Sequence, residues 1–235
     1  MIVRTAFPYR HDQVELEGLL VRDDNLSGPL PGILVIHEFT GLGDYMIPHA
    51  ERLARHGFNV LLADMYGKGV RPANSAEAST VSHIYRDDRR LMRSRARAGL
   101  DALADDSGTD ANNLHCMGFS FGGCTALELA RSDAPLCSTT SFYGYLNTPF
   151  PCAPGDVRGK ILVLHGKHDK VVPMEETVVF EKEMQDAGVD CQLVKYPDAG
   201  HGFANAQLKR DDASGSWYCE RTATDAWQRV MEFLP

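Results

Sequence analysis

Short apolar runs alternate with longer amphipathic ones along most of this chain, and their order predicts its architecture. Val14-Glu15-Leu16-Glu17-Gly18-Leu19-Leu20-Val21 alternates with the two-residue period of a strand that has one wet face. Gly28-Pro29-Leu30-Pro31-Gly32 then turns the chain into Ile33-Leu34-Val35-Ile36-His37. That run has no polar alternation, so this strand is expected to be covered on both faces. Similar runs recur at residues 59–63, 114–118, 139–143, 161–165 and 192–196, with helical segments expected at 47–56, 87–104, 121–131, 175–187 and 222–233. Strands alternating with helices predict βαβ units: an α/β fold with a mostly parallel sheet and helices on both faces. Residues 65–86 and 144–160 interrupt the alternation. They are expected to be long loops at the carboxyl edge of the sheet, where ligands bind, and so candidate pocket walls.

The chain has 235 residues, 43% of them hydrophobic and 24% charged, which suits one α/β domain spanning 1–235. A net charge of −8 argues against nucleic acid or an anionic membrane surface as the main partner, since either would be repelled. The first residues lack the apolar core of a signal peptide and no run reaches the roughly 18 apolar residues of a membrane span, so the cytoplasm is the expected location. Cys116, Cys124, Cys137, Cys152, Cys191 and Cys219 form no C-x-x-C pair and are expected as reduced core residues. Arg89, Arg93 and Arg97 recur every four residues among Asp87, Asp88 and Asp101, which reads as a solvated helix face.

The chemistry concentrates at Gly118-Phe119-Ser120-Phe121-Gly122, which follows an apolar run and precedes a helical one. That is the strand, elbow and helix context of the G-x-S-x-G motif, with glycines where a side chain would collide with the neighbouring elements. Ser120 is the candidate nucleophile. A serine hydroxyl needs a positioned imidazole, and the imidazole needs an acceptor to hold its tautomer. His201, in Pro197-Asp198-Ala199-Gly200-His201-Gly202-Phe203, follows a strand and is flanked by glycines. Asp169 follows the strand that ends at His165, which gives the chain order Ser, Asp, His of α/β-hydrolases. Asp198 reads as a turn residue, Asp156 lies in a Pro/Gly loop, His165 reads as a core residue or a support behind the site, and His168 as a loop residue. His165, His168 and Asp169 match no standard metal-ligand spacing, and the elbow has neither dinucleotide-loop spacing nor a P-loop lysine, so no metal and no cofactor is expected.

From about residue 14 onward the chain resembles the dienelactone hydrolase family of the α/β-hydrolase fold. The resemblance rests on His37-Glu38-Phe39-Thr40-Gly41-Leu42, the elbow through Gly123, Gly166-Lys167-His168-Asp169 and Gly200-His201-Gly202-Phe203-Ala204. It implies that Glu38 sits beside the nucleophile and that the backbone N–H groups of Phe121 and Phe39 form an oxyanion hole; the helix opening at Phe121 supports the first donor independently. Two positions depart from the family. Ser120 stands where the family carries cysteine, and Asn205 stands in the His-x-x-x-Arg position of an arginine that holds a substrate carboxylate. Residues 76–80 supply no arginine either; Arg71 or Arg86 could substitute from a different direction, although both read first as surface residues. Without bidentate guanidinium contacts, neutral esters or lactones are expected rather than small anionic ones. Tyr143, Tyr145, Phe203 and Asn205 are the candidate pocket residues, with the aromatic flanks suggesting a largely apolar cavity. The expected partner is a small-molecule ester or lactone, with promiscuous phosphotriester cleavage as a chemical possibility of the same oxyanion site. Two alternatives stand beside this reading: a cysteine-type enzyme whose nucleophile has been replaced by Ser120, and a non-catalytic small-ligand binder.

Overall fold

The computed structural model describes residues 1–235. Eight strands form one sheet: β1 (Ile2–His11), β2 (Val14–Asp23), β3 (Leu30–Ile36), β4 (Asn59–Ala63), β5 (Thr109–Phe119), β6 (Ser138–Phe142), β7 (Lys160–Gly166) and β8 (Cys191–Tyr196). Their spatial order is β1-β2-β4-β3-β5-β6-β7-β8; β1 and β2 pair antiparallel, β2 joins β4 antiparallel, and the remaining pairs are parallel. Six helices cover it: α1 (Ile47–Arg55), α2 (Ser75–Asp87), α3 (Arg89–Ala104), α4 (Phe121–Ala130), α5 (Met174–Asp186) and α6 (Glu220–Phe233).

The sheet carries a separate core on each face, and the period of two divides the strand residues between them. Leu34 and Ile36 of β3 join α3, α4 and α5 on one face, while Ile33 and Val35 join α1 and α6 on the other. This double coverage is why β3 and β4 read as unbroken apolar runs. No helix is long and apolar enough to cross a membrane.

One strand adds to the expected elements, and three expectations are corrected. The terminal strand β1 was not legible because it is an edge strand with Arg4, Thr5 and Arg10 among its exposed or half-exposed positions and with Pro8 in its interior, a residue that edges tolerate. Residues 65–86 are not one long loop: α2 occupies their second half. Its start is a capping box, with Asn74 accepting from the Ala76 and Glu77 amides while Glu77 reaches back to the Asn74 side chain and the Ala73 amide. The cysteines form no disulfide, but only Cys116 and Cys124 are buried, and Cys137 is exposed.

The arginine stripe of α3 is also not a solvated face. Arg89 is buried and donates to Cys124 Sγ and Asn147, and Arg93 pairs at 2.7 Å with the fully buried Glu128 and donates to the Phe150 carbonyl. Only Arg97 keeps an exposed partner, Asp101. Arg89 and Arg93 face inward because residues 144–160 fold over α3 and α4 and bring the Asn147 side chain and the Phe150 carbonyl to them.

Candidate active site

β5 delivers Ser120 at its carboxyl end, in the centre of the sheet, and the chain turns there directly into α4. The turn holds Ser120 at φ 53° and ψ −113°, a conformation that L residues avoid unless their surroundings impose it. Its surroundings are close. A Cβ at Gly118 would lie 2.0 Å from the Gly122 carbonyl oxygen, and one at Gly122 would lie 2.2 Å from that of Ile36. Both glycines are therefore required by contact with backbone.

Ser120 Oγ lies 2.8 Å from His201 Nε2, and His201 Nδ1 lies 2.8 Å from Asp169 Oδ2. The other oxygen of Asp169 accepts from the amides of Val171 and Val172, both at 2.8 Å, so the carboxylate is aimed by its own turn. The His201 loop is pinned by a neighbouring segment: its amide donates to the Gly215 carbonyl at 2.8 Å and its carbonyl accepts from Trp217. Gly200 permits that approach, because a Cβ there would sit 2.0 Å from the Gly215 oxygen, and Gly202 takes φ +70°.

Glu38 follows β3 and lines the same cavity as Ser120 and His201. Its carboxylate accepts from Tyr143 Oη at 3.1 Å and from Asn205 Nδ2 at 3.0 Å. Desolvation raises its pKa, opposed by the charge of His201 and by those two hydrogen bonds. Burial in turn holds the Tyr143 phenol well above its usual value, with the Glu38 charge adding to the effect. The backbone N–H groups of Phe39 and Phe121 make no backbone hydrogen bond, Phe121 being the first residue of α4. His37 packs behind them, its ring stacked 5.9 Å from that of Phe121; burial lowers its pKa to about 4 and keeps it neutral.

The cavity above Ser120 has a volume of about 340 Å³. Tyr145 lines it, but Tyr143, Phe203 and Asn205 do not. Tyr143 and Phe203 are buried in the core behind His201, their rings 5.0 Å apart, and Asn205 is occupied with Glu38. Most of the lining surface is apolar, as expected, from Phe39, Phe121, Tyr145, Val171 and Leu208, but Ser79, Ser82, Ser214, Ser216 and Arg86 interrupt it with polar groups. Arg86 is thus a cavity residue and not a surface one, with its guanidinium 3.9 Å over the Tyr145 ring. Arg71 stays outside, 3.8 Å from Asp64. These serines were missed because their placement depends on α2 and on the fold of the loop after His201.

The remaining acids and histidines lie apart from the cavity. Asp198 pairs with Arg221 at the surface, and Asp156 caps its own loop through the Ala153 amide. His168 packs near Trp217. His165 is fully buried with both ring nitrogens unpartnered, and burial lowers its pKa.

A mostly parallel sheet covered on both faces, with a strained serine between its central strand and a helix, defines the α/β-hydrolase class. Residues 16–235 match the model of the dienelactone hydrolase family, and the chain belongs to that family. Among solved structures it is similar to m3DLH, with 32% identity and a TM-score of 0.92 over 98% of this chain and 96% of the other. It is also similar to a dienelactone hydrolase-like promiscuous phosphotriesterase from metagenomic libraries, with 31% identity and a TM-score of 0.90 over 99% and 97% of the two chains. A Bradyrhizobium protein named "Probable 2-oxo-3-(5-oxofuran-2-ylidene)propanoate lactonase" is 29% identical over 89% of this chain and 85% of its own length.

Proposed function

We propose that this hydrolase cleaves neutral carboxylic esters or lactones through an acyl-enzyme on Ser120. The observation that carries the reading is the continuous chain Ser120 Oγ, His201, Asp169, with both contacts at 2.8 Å. His201 takes the serine proton as Oγ attacks the carbonyl carbon, and the oxyanion is met by the N–H groups of Phe121 and Phe39. His201 then protonates the leaving alcohol, and a water deprotonated by the same ring releases the acid. Asp169 holds the ring with Nδ1 protonated, so Nε2 is the base.

A serine cannot be stored as an alkoxide, so Glu38 is not needed to drive the nucleophile's resting ionisation, as it would be with a thiol. Its carboxylate, held by Tyr143 and Asn205, stabilises the imidazolium that forms during attack. Asn205 in place of an arginine leaves no guanidinium at that edge, which supports substrates without a carboxylate. The phosphotriesterase named above supports a second, promiscuous activity on activated phosphotriesters, in which the same donors would meet the phosphoryl oxygen.

p-Nitrophenolate release from p-nitrophenyl acetate and butyrate at neutral pH tests the reading. Wild type should turn over and Ser120→Ala should not. Equal rates in the two proteins would overturn the serine mechanism. A silent wild type restored by Ser120→Cys would identify a cysteine-type enzyme instead.

A further inference from the structure

α2 turns a polar stripe toward the cavity. Ser79, Ser82 and Arg86 are spaced three and four residues apart, on one face of the helix, and all three line the space above Ser120. A helix packed on a protein normally gives its inward stripe to apolar residues. Here Ala78 and Tyr85 serve the core, and the adjacent stripe is reserved for groups that form hydrogen bonds. The loop after His201 adds Ser214 and Ser216 to the lining.

The hydrogen bonds already made leave capacity over. Ser82 Oγ donates to the Ser79 carbonyl at 3.0 Å, which keeps its lone pairs available. Ser214 Oγ gives its one proton to the Asp211 carboxylate at 2.6 Å, so Ser216, buried in the wall, donates across the 2.9 Å contact to Ser214 and keeps its lone pairs free. Arg86 has no carboxylate partner, and its Nε is buried without an acceptor while Tyr145 fixes the guanidinium plane. A cavity guanidinium without an acid partner keeps donors for a ligand oxygen.

Resting on the hydrolase reading above, we propose that the cavity selects small esters and lactones whose acyl or ring portion carries free hydroxyl groups. A hydroxyl donates to the free lone pairs of Ser82 and Ser216, and its oxygen accepts from the Arg86 guanidinium. An unsubstituted alkyl portion would strip water from these groups and replace none of it. A carboxylate would satisfy Arg86 but would enter beside the Glu38 carboxyl, which lines the same space. At about 340 Å³ the cavity suits small substrates.

The test compares kcat/KM for γ-butyrolactone, its 2-hydroxy and 2,3-dihydroxy forms, and a 3-carboxy form, each divided by its hydroxide-catalysed rate. p-Nitrophenyl acetate is run in parallel. The expected result is a rise of about tenfold for a matched hydroxyl. The ratio of hydroxylated to plain lactone should fall back by about the same factor in Ser82→Ala and in Arg86→Met. Being a ratio within one protein, it cancels a general loss of folded enzyme. A flat or falling series with p-nitrophenyl acetate still cleaved overturns this inference and leaves the hydrolase reading standing. Preference for the carboxylated lactone overturns it in favour of an anion site. Failure on p-nitrophenyl acetate as well overturns both.

Discussion

Ser120 holds its positive φ because the elbow leaves no alternative: its amide donates to the Phe142 carbonyl at 2.9 Å and its carbonyl accepts from Cys124 at 3.0 Å. Ser120, Asp169 and His201, proposed as nucleophile, orienting acid and base, stand on turns and glycines that the sequence displays, and the structure brings them together. Tyr143 and Phe203 could not be placed, since an aromatic ring at a strand end packs as readily into the core as into a cavity. Asn205 was visible as a missing arginine, yet nothing in the sequence showed that its amide would hold Glu38. That contact gives a prediction. Hydrogen bonds to a carboxylate favour its ionised form, so Asn205→Ala should raise the Glu38 pKa further above the ordinary carboxyl value. Titration of a carboxyl-labelled glutamate by NMR reads the midpoint directly; an unchanged or lowered midpoint would remove Asn205 from the account.

Among the elements, strands with apolar residues on both faces were readable from composition, whereas β1 and α2 were not. An edge strand keeps polar residues on both sides, and α2 spends part of its inward face on serines, so each lacks the hydrophobic period that marks its type. The capping box at Asn74 and Glu77 was the signal that would have found α2. α3 and α4 are joined by charge as well as by apolar packing, through Arg93, Glu128 and Arg131. Glu128→Ala would leave Arg93 without its carboxylate and weaken the setting of Arg131, an expected loss of about 3–5 kcal/mol in urea unfolding. A loss below about 1 kcal/mol would show that solvent reaches these groups. At the elbow, Gly122→Ala forces a Cβ onto the Ile36 carbonyl, so the variant should lose esterase activity with a lowered Tm. Full activity would mean that β3 can yield.

For the molecule as a whole, desolvated histidines set a pH dependence. Burial lowers His37, His49 and His115 to about 4, so the folded state binds fewer protons than the unfolded chain between that value and the ordinary 6.5. Their contribution to stability is complete above pH 6.5 and is lost as pH falls toward 4. His49 stacks on Phe119 at 4.7 Å and on Trp227 at 5.3 Å, where phenylalanine can replace it. His49→Phe should therefore reduce the slope of unfolding free energy against pH between 6.5 and 4 by up to one proton, about 1.4 kcal/mol per pH unit. An unchanged slope would show that His49 titrates alike in the folded and unfolded chains. The sheet places the strained serine, the histidine loop and the aspartate turn at one edge, and the central claim is that Ser120 becomes a nucleophile there. Treatment with a fluorophosphonate followed by intact-mass and peptide mapping tests this most directly. The account predicts one phosphonyl adduct on Ser120, absent from Ser120→Ala and strongly slowed in His201→Gln. A protein left unmodified, or labelled at another residue, would contradict it.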